Sequence, residues 1–399
     1  MAMKQTQTKM FDFADVGLDF CSGSKNLFPD RFKKMLSQGY NEQTVASVSV
    51  TGNQVTLNYG VAHGYAADRV IKINSGPLAA INAGEFWIDA VTATSVTMTI
   101  DAAPVSIAGG FVTKIASLGW GLVYEQANIQ IYKFKHIDDT DMYARLCFQN
   151  ATTSGNRNCV AVGIGRTVDL NLGHITDPNC LQDLATCATV ADATSNVRWD
   201  FTSSTVNTFN NYTYSQGVSR FGKGMVVGSQ YHFLICFDAL DTSSNRSCVL
   251  GLVPTISILN FPILLATNNG APTTSTTSMN ASFSPYIGKN RCIFDMSIDT
   301  NPTPIRQPQA NGDYLPSEIE AFNTMMGKPV PIHLYNPSQF IGFALGMYIA
   351  CFSASASWNT GKQDTPSIET DIDFNSLIIR KGLGDLTLFL PVEEIKIAN

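Results

Sequence analysis

The residues best placed to do chemistry fall in three short stretches. Gly217-x-x-x-x-Gly222-Lys223 carries the glycines and lysine of a phosphate-binding loop. In such a loop backbone N–H groups at a helix start cradle phosphate, and the next residue, Ser or Thr, holds Mg²⁺. Gly224 stands where that hydroxyl is needed and Met225-Val226-Val227 reads as strand, so a β-turn is expected. Gly163-Ile164-Gly165 opens like a dinucleotide fingerprint, but Val168 occupies the third glycine position and no βαβ pattern surrounds it, so a tight turn or strand end is expected. Asp138, Asp139 and Asp141 beside His136 form the densest acidic cluster, of a type that serves a divalent cation or a paired acid and base. Counted as a calcium loop from Asp139 and Asp141, the next positions should be Asn or Asp and then glycine. They are Tyr143 and Ala144, which favours a solvated turn between two strands.

The remaining chemistry-bearing residues are scattered. His63, His136, His174, His232 and His333 form no HExxH or His-x-His pair and have no Cys-x-x-Cys nearby, so each is expected to be an ordinary polar or core histidine. There is no Gly-x-Ser-x-Gly elbow. Asn150, Asn211, Asn245 and Asn280 lie in glycosylation sequons, which the abundance of Asn, Ser and Thr explains. The start, Met1 to Lys9, is polar and without the apolar core of a signal peptide, from which synthesis in a reducing cytosol is expected. The nine cysteines, with Cys147, Cys159, Cys180 and Cys187 nearest together, are then free thiols acting as small buried hydrophobes. No catalytic, cofactor-binding or metal-binding residues are assigned: convergent titratable groups are what catalysis needs, and none are visible.

The elements that would position any site are mostly strands. At 399 residues the chain is long enough for two or three domains, and only 15% of it is charged, with a net charge of -6. With no Lys/Arg stripe, nucleic acid is not an expected direct partner. Pro29 and Asp30 open a run with Phe32, Met35 and Leu36 on one helical face and Gly39 behind it, which predicts a short amphipathic helix. The residues before it read as an arm that orders only against a neighbouring subunit. From Thr44 the period becomes two: Val48 and Val50, then Gly52-Asn53, then Val55, Leu57 and Tyr59, a hairpin. Further strands are predicted at 70–73, 86–91, 96–100 and 111–115, then at 129–134, 142–148, 160–164, 197–201, 231–237 and 386–390. A second helix is predicted at 317–326. The stretches 202–214 and 268–284 read as long exposed or intersubunit loops. Val249 to Ala266 is broken by Pro254, Asn260 and Pro262, and Ile341 to Phe352 falls short of the ~20 residues of a membrane span, so both are expected to be core strands.

One part of the chain carries a resemblance. "NQVTLNYGVAHGYAADRVIKINSG" followed by "GEFWIDAVTATSVTMTI" resembles small β-modules of tailed-bacteriophage virion proteins, through His63, Gly64, Val70, Ile71, Ile73, Asn82, Gly84, Glu85, Phe86 and Val91. It departs from them at Ala67-Asp68-Arg69, where such modules often carry Gly-Asp. "YEQANIQIYKFKHIDDTDMYARLCFQN" is similar to the opening of a larger β-domain in the same proteins. The resemblance covers residues 44 to about 150. It implies a virion structural protein of the tail, neck or baseplate, assembled in the host cytoplasm, and a ring or sleeve without catalysis.

The combined expectation is a mainly β protein. An N-terminal arm and short helix (1–43) precede a small β-barrel or sandwich module (44–118) and a larger β-sandwich-like region (119–399), with two short helices in all. The expected partners are copies of itself and other virion proteins, with no cofactor and no membrane insertion. Two competing readings remain at this level. One is a receptor- or carbohydrate-binding tail module using Trp120, Tyr212, Tyr214 and Trp358. The other is a depolymerase using Asp138 with Asp141.

Overall fold

The computed structural model describes residues 8–150, 158–195, 197–202, 207–221, 224–240, 245–267, 283–294, 327–336, 339–350, 358–362, 377–383 and 386–392. The chain is mainly β. Its small module follows directly from the period-two sequence. Ser47–Thr51 and Gln54–Asn58 pair antiparallel with Thr51 opposite Gln54, and Gly52 (φ 60°) takes the positive φ that the first central residue of a II′ turn requires. Gln54–Asn58 also pairs with Ser95–Thr99, which in turn pairs with Ala90–Val91, completing one four-stranded sheet. The second sheet runs Tyr40–Thr44, Val112–Ile115, Val70–Ile73, Glu85–Trp87. The chain bends from one sheet to the other at two corners. Val45 donates to Phe111 O (2.9 Å) while Ala46 donates to Asn58 O (2.8 Å), and Ile88 donates to Arg69 O (2.8 Å) while Asp89 donates to Thr97 O (3.0 Å). Alternation then sends Val55, Leu57, Val96, Met98, Ile71, Ile73 and Ile115 into a shared core.

The N-terminal segment corrects the expectation of an arm. Residues 1–7 lie outside the described residues, but from residue 8 the chain is built into its own fold. Lys9–Asp12 pairs antiparallel with Gly224–Gly228, and Met10, Phe11 and Phe13 are buried. Two ion pairs fasten it to the small module. Lys9 Nζ meets Glu85 (2.8 Å) and also donates to Ser117 O, and Arg69 grips Asp15 with Nε and Nη2 at 2.8 and 2.9 Å. The sequence reading failed here because it weighed polarity along Met1 to Lys9, whereas Met10, Phe11 and Phe13 decide the burial.

The predicted helix forms as Phe28–Lys33 and continues through Lys34–Gln38 as a π-turn, with Gly39 N donating to Lys34 O at 2.8 Å. Gly39 has φ 75°, and a Cβ there would collide with Ile115 O, so only glycine allows the chain to pass from helix into module. Phe28, Phe32, Met35 and Leu36 are buried as the spacing predicts. The helix predicted at 317–326 falls outside the described residues. Two further helices, Gln182–Thr186 and Tyr214–Phe221, were not expected; the first is too short to leave a period in the sequence.

The larger region is one long antiparallel ladder. Register pairs connect Lys9–Asp12, Gly224–Gly228, Phe233–Leu240, Asn245–Val253, Ile263–Thr267, Phe283–Ile287, Asn290–Phe294, Gly327–Leu334, Phe340–Ala350, Leu386–Val392, Leu377–Leu383 and Trp358–Lys362 in that spatial order. A second run, Gly121–Gln126, Ile129–Lys135, Asp141–Phe148, Cys159–Gly165 and Arg198–Asp200, joins it where Arg198 pairs with Thr267. The described parts of the two apolar stretches are strands, as read, with Val249, Leu250, Leu252, Ile263, Leu265 and Ile341 in the core, although Ile256, Ile258 and Phe343 are not. Among the described residues no helix is long and apolar enough to cross a membrane. The two runs curl toward each other until Lys135 N donates to Gln230 O (3.0 Å) and Trp120 Nε1 to Ser229 O (2.9 Å), leaving a nearly closed barrel-like sheet. Phe32 sits at its centre, with Phe148, Trp199, Phe201 and Phe233 all within ring-contact distance.

Candidate functional site

The acidic cluster comes apart in three directions. Residues 136–140 form the turn between Ile129–Lys135 and Asp141–Phe148. Asp141 takes Lys133 and Lys135 at 2.6 and 2.7 Å, and Asp139 accepts from Tyr231 Oη at 3.1 Å. Asp138 accepts from Thr140 N (3.0 Å), Thr140 Oγ1 (2.5 Å) and Asn260 Nδ2 (2.7 Å). Burial alone would raise the Asp138 carboxyl, but these donors hold it well below the usual carboxylate range. Asp138 and Asp141 are thus both held below the ordinary carboxylate range by their donors, the opposite of a raised-pKa acid facing a free base. Among the described residues no group of three or more His, Cys, Asp or Glu is placed to hold a metal ion.

The glycine motifs are packing devices. Gly163 and Gly165 lie in the strand Cys159–Gly165, where a Cβ would press on Leu184 O and on Ile175 and Asp177. They let the 174–186 segment lie directly on the sheet. Gly217 lies inside the helix Tyr214–Phe221, which corrects the expected β-turn. That helix comes before the Gly-Lys pair, with a strand after it, whereas a phosphate loop needs strand, loop and then helix. Four of the five histidines, His63, His136, His232 and His333, are buried. His63 accepts from Tyr65 N at Nδ1 (2.9 Å) and lies against Thr92 O and Ser95 O at Nε2 (3.0 and 3.1 Å), tying two turns of the small module together. His136 and His232 are buried, and burial lowers both pKa values, that of His232 to about 3.

Of the aromatics proposed for sugar stacking, Trp120 is buried and stacked on Phe134 (4.6 Å), Tyr212 packs on Phe209 (5.0 Å) and Tyr214 is half-buried.

The exposed feature that sequence reading missed is apolar. Thr255–Ser257 pairs with Phe340–Ala350 so that Ile256 lies opposite Phe343, and Ile258 N donates to Ile341 O (3.2 Å). The register slips near Phe340, and Gly342 adopts φ 148°, where a Cβ would collide with Ile256 O. This irregularity leaves both Phe340 and Phe343 outward, with their rings 5.1 Å apart. Ile256 (59% exposed), Ile258 (73%), Phe340 (48%) and Phe343 (41%) form one outward strip, flanked by Tyr335 beneath the Arg291 guanidinium. Leu259 carries the strip to a cleft of about 410 Å³ lined also by Arg166, Asn179, Phe261 and Asn290. Arg166 donates to Asn260 O and lies 5.8 Å from the Phe261 ring. Four large apolar side chains thus share an exposed face near a cleft with mixed polar and apolar lining. The signal was present as isolated apolar residues in a stretch otherwise read as core, but only the bulge reveals which of them face outward.

No protein-family model and no curated protein matches this chain.

Proposed function

We propose that this chain is a structural subunit of a tailed-bacteriophage particle, a ring- or sleeve-forming component of tail, neck or baseplate that works through protein contacts and not through catalysis. The observation that carries the assembly half of this reading is the outward strip Ile256, Ile258, Phe340 and Phe343. Four large apolar side chains adjacent on one face cost solvation free energy that a partner subunit recovers. The charge-poor composition fits the same reading, since copies meet with little long-range repulsion. The phage half rests on the resemblance across residues 44 to about 150.

The test is light scattering and electron microscopy of the purified protein beside mass spectrometry of purified particles. Closed oligomers, and the chain present in particles, are the expected result. Ile258→Asp and Phe343→Asp should each weaken assembly at least tenfold while leaving the unfolding midpoint of the isolated chain unchanged. A chain that stays monomeric at high concentration and is missing from particles overturns the reading.

A further inference from the structure

The cleft of about 410 Å³ beyond Leu259 has a volume in the range of small-molecule sites. Three elements meet there. The strand Cys159–Gly165 is followed by Arg166, the 258–261 turn follows Thr255–Ser257, and Ile287 pairs with Asn290 across a two-residue turn. Gly288 takes φ 57° in that turn, and a Cβ there would press on Asn179 O, so the turn lies directly against the 177–179 segment. The opposite wall is fixed as well. Asn260, at φ 44°, is held from two sides: its Nδ2 donates to Asp138 (2.7 Å), and its O accepts from Arg166 Nη2. This orders the turn that carries Leu259 and Phe261 and keeps the guanidinium beside it, 5.8 Å from the Phe261 ring. A wall ordered in advance lowers the entropic cost of capture.

The polar lining asks for two kinds of group at once. Among the described residues the Arg166 guanidinium forms no ion pair, and Asn260 O is its one hydrogen-bond partner, so most of a planar fork suited to a carboxylate stays open. Lys289, exposed at the tip of the 287–290 turn, adds a second cation. The side-chain amides of Asn179 and Asn290 have no protein partner among the described residues, and each offers donors and an acceptor. Asp177 accepts from Arg166 N (2.7 Å) and Asn179 N (2.8 Å), one on each oxygen, and keeps a lone pair on each for a ligand hydroxyl. A bare anion would be repelled by Asp177, and a hydrocarbon acid would bring no hydrogen bond to Asp177 or to either amide. A ligand with hydroxyl groups beside its carboxylate satisfies all four side chains.

We propose that this cleft binds a sugar acid. The carboxylate lies on Arg166, the hydroxyls on Asp177, Asn179 and Asn290, and the less polar face of the ring against Leu259, which is 37% exposed. The site binds and does no chemistry on the sugar. It is independent of the assembly reading, since none of the four side chains of the outward strip takes part.

The test is isothermal titration calorimetry of the full chain with galacturonate, galactose and cyclohexanecarboxylate, the last two lacking the carboxylate and the hydroxyls in turn. Galacturonate should bind saturably, and each of the others at least about tenfold more weakly. Arg166→Gln should weaken galacturonate at least about tenfold and Asn290→Leu at least about threefold, while Lys114→Gln in the small module leaves it unchanged. Thermal melts of the three variants should match the parent chain, because Arg166 and Asn290 are exposed. Tetragalacturonate binding at least about tenfold more tightly than galacturonate identifies the ligand as a unit within an acidic polysaccharide, and equal affinity identifies it as the free sugar acid; both uphold the site. Galacturonate that does not saturate, that binds no better than galactose or cyclohexanecarboxylate, or that binds Arg166→Gln as tightly as the parent chain overturns the proposal.

Discussion

The small module and the larger sheet both bury apolar faces of antiparallel strands, yet they fill their cores differently. In the module, residues 40–115, the interior is mostly aliphatic and comes from strands of one continuous stretch of chain that pair only with one another. In the larger sheet the centre is aromatic, and its middle ring, Phe32, belongs to a helix upstream of the whole module. The module closes on itself, its first strand pairing with its last. The sheet is completed only when the first forty residues return to it, and those residues also grip the module through Asp15 and Arg69.

Removing the central ring should have the largest effect. Phe32→Ala deletes contacts to Phe28, Phe148, Trp199, Phe201 and Phe233 at once. It should cost about 3–5 kcal/mol in denaturant unfolding, as large aromatic truncations in closed cores do. A loss under about 1 kcal/mol would mean that the barrel-like sheet closes without the helix, and the contrast would fail.

The joint between the regions comes next. Asp15→Asn leaves Arg69 buried without its anion and withdraws charge from the hydrogen bond donated by Tyr40 Oη (2.7 Å). The expected cost is roughly 3 kcal/mol, with Arg69→Met in the same background recovering much of it, because the unpaired charge and not the lost contact dominates. Circular dichroism melts of the single and double variants separate these outcomes.

The third difference is in acid. His232, in the larger sheet, donates to or accepts from Ser229 Oγ at 2.8 Å, and burial lowers its pKa to about 3. The unfolded chain binds this proton more readily than the folded one. Stability is therefore full above the unfolded pKa near 6.5 and falls as pH drops toward the folded value. Between pH 7 and pH 5 this one group should cost about 2 kcal/mol. His136, lowered in the same direction, adds to the slope. His63, in the module, has hydrogen-bond partners at both ring nitrogens. Urea titrations across this range should show His232→Asn flattening the dependence.

The amino-acid order alone carries the part governed by short-range period and turn chemistry. It predicted a mainly β chain, the strands 70–73, 111–115, 142–148 and 160–164 to within a residue or two, and the helix face of Phe32, Met35 and Leu36. These follow from alternation, from glycine at positive φ and from chemistry local to a few residues. The tertiary structure was needed to show that residues 8–27 are packed into the fold and are not an arm. It alone decided that Asp138, Asp139 and Asp141 point to three separate partners, and that Arg166 and Asn290 line one cleft. It alone turned Phe340 and Phe343 to the same outer face through a slipped register and Gly342. Each of these depends on which distant strand lies alongside, and pairing across long separations leaves no period in the chain for a reader to find.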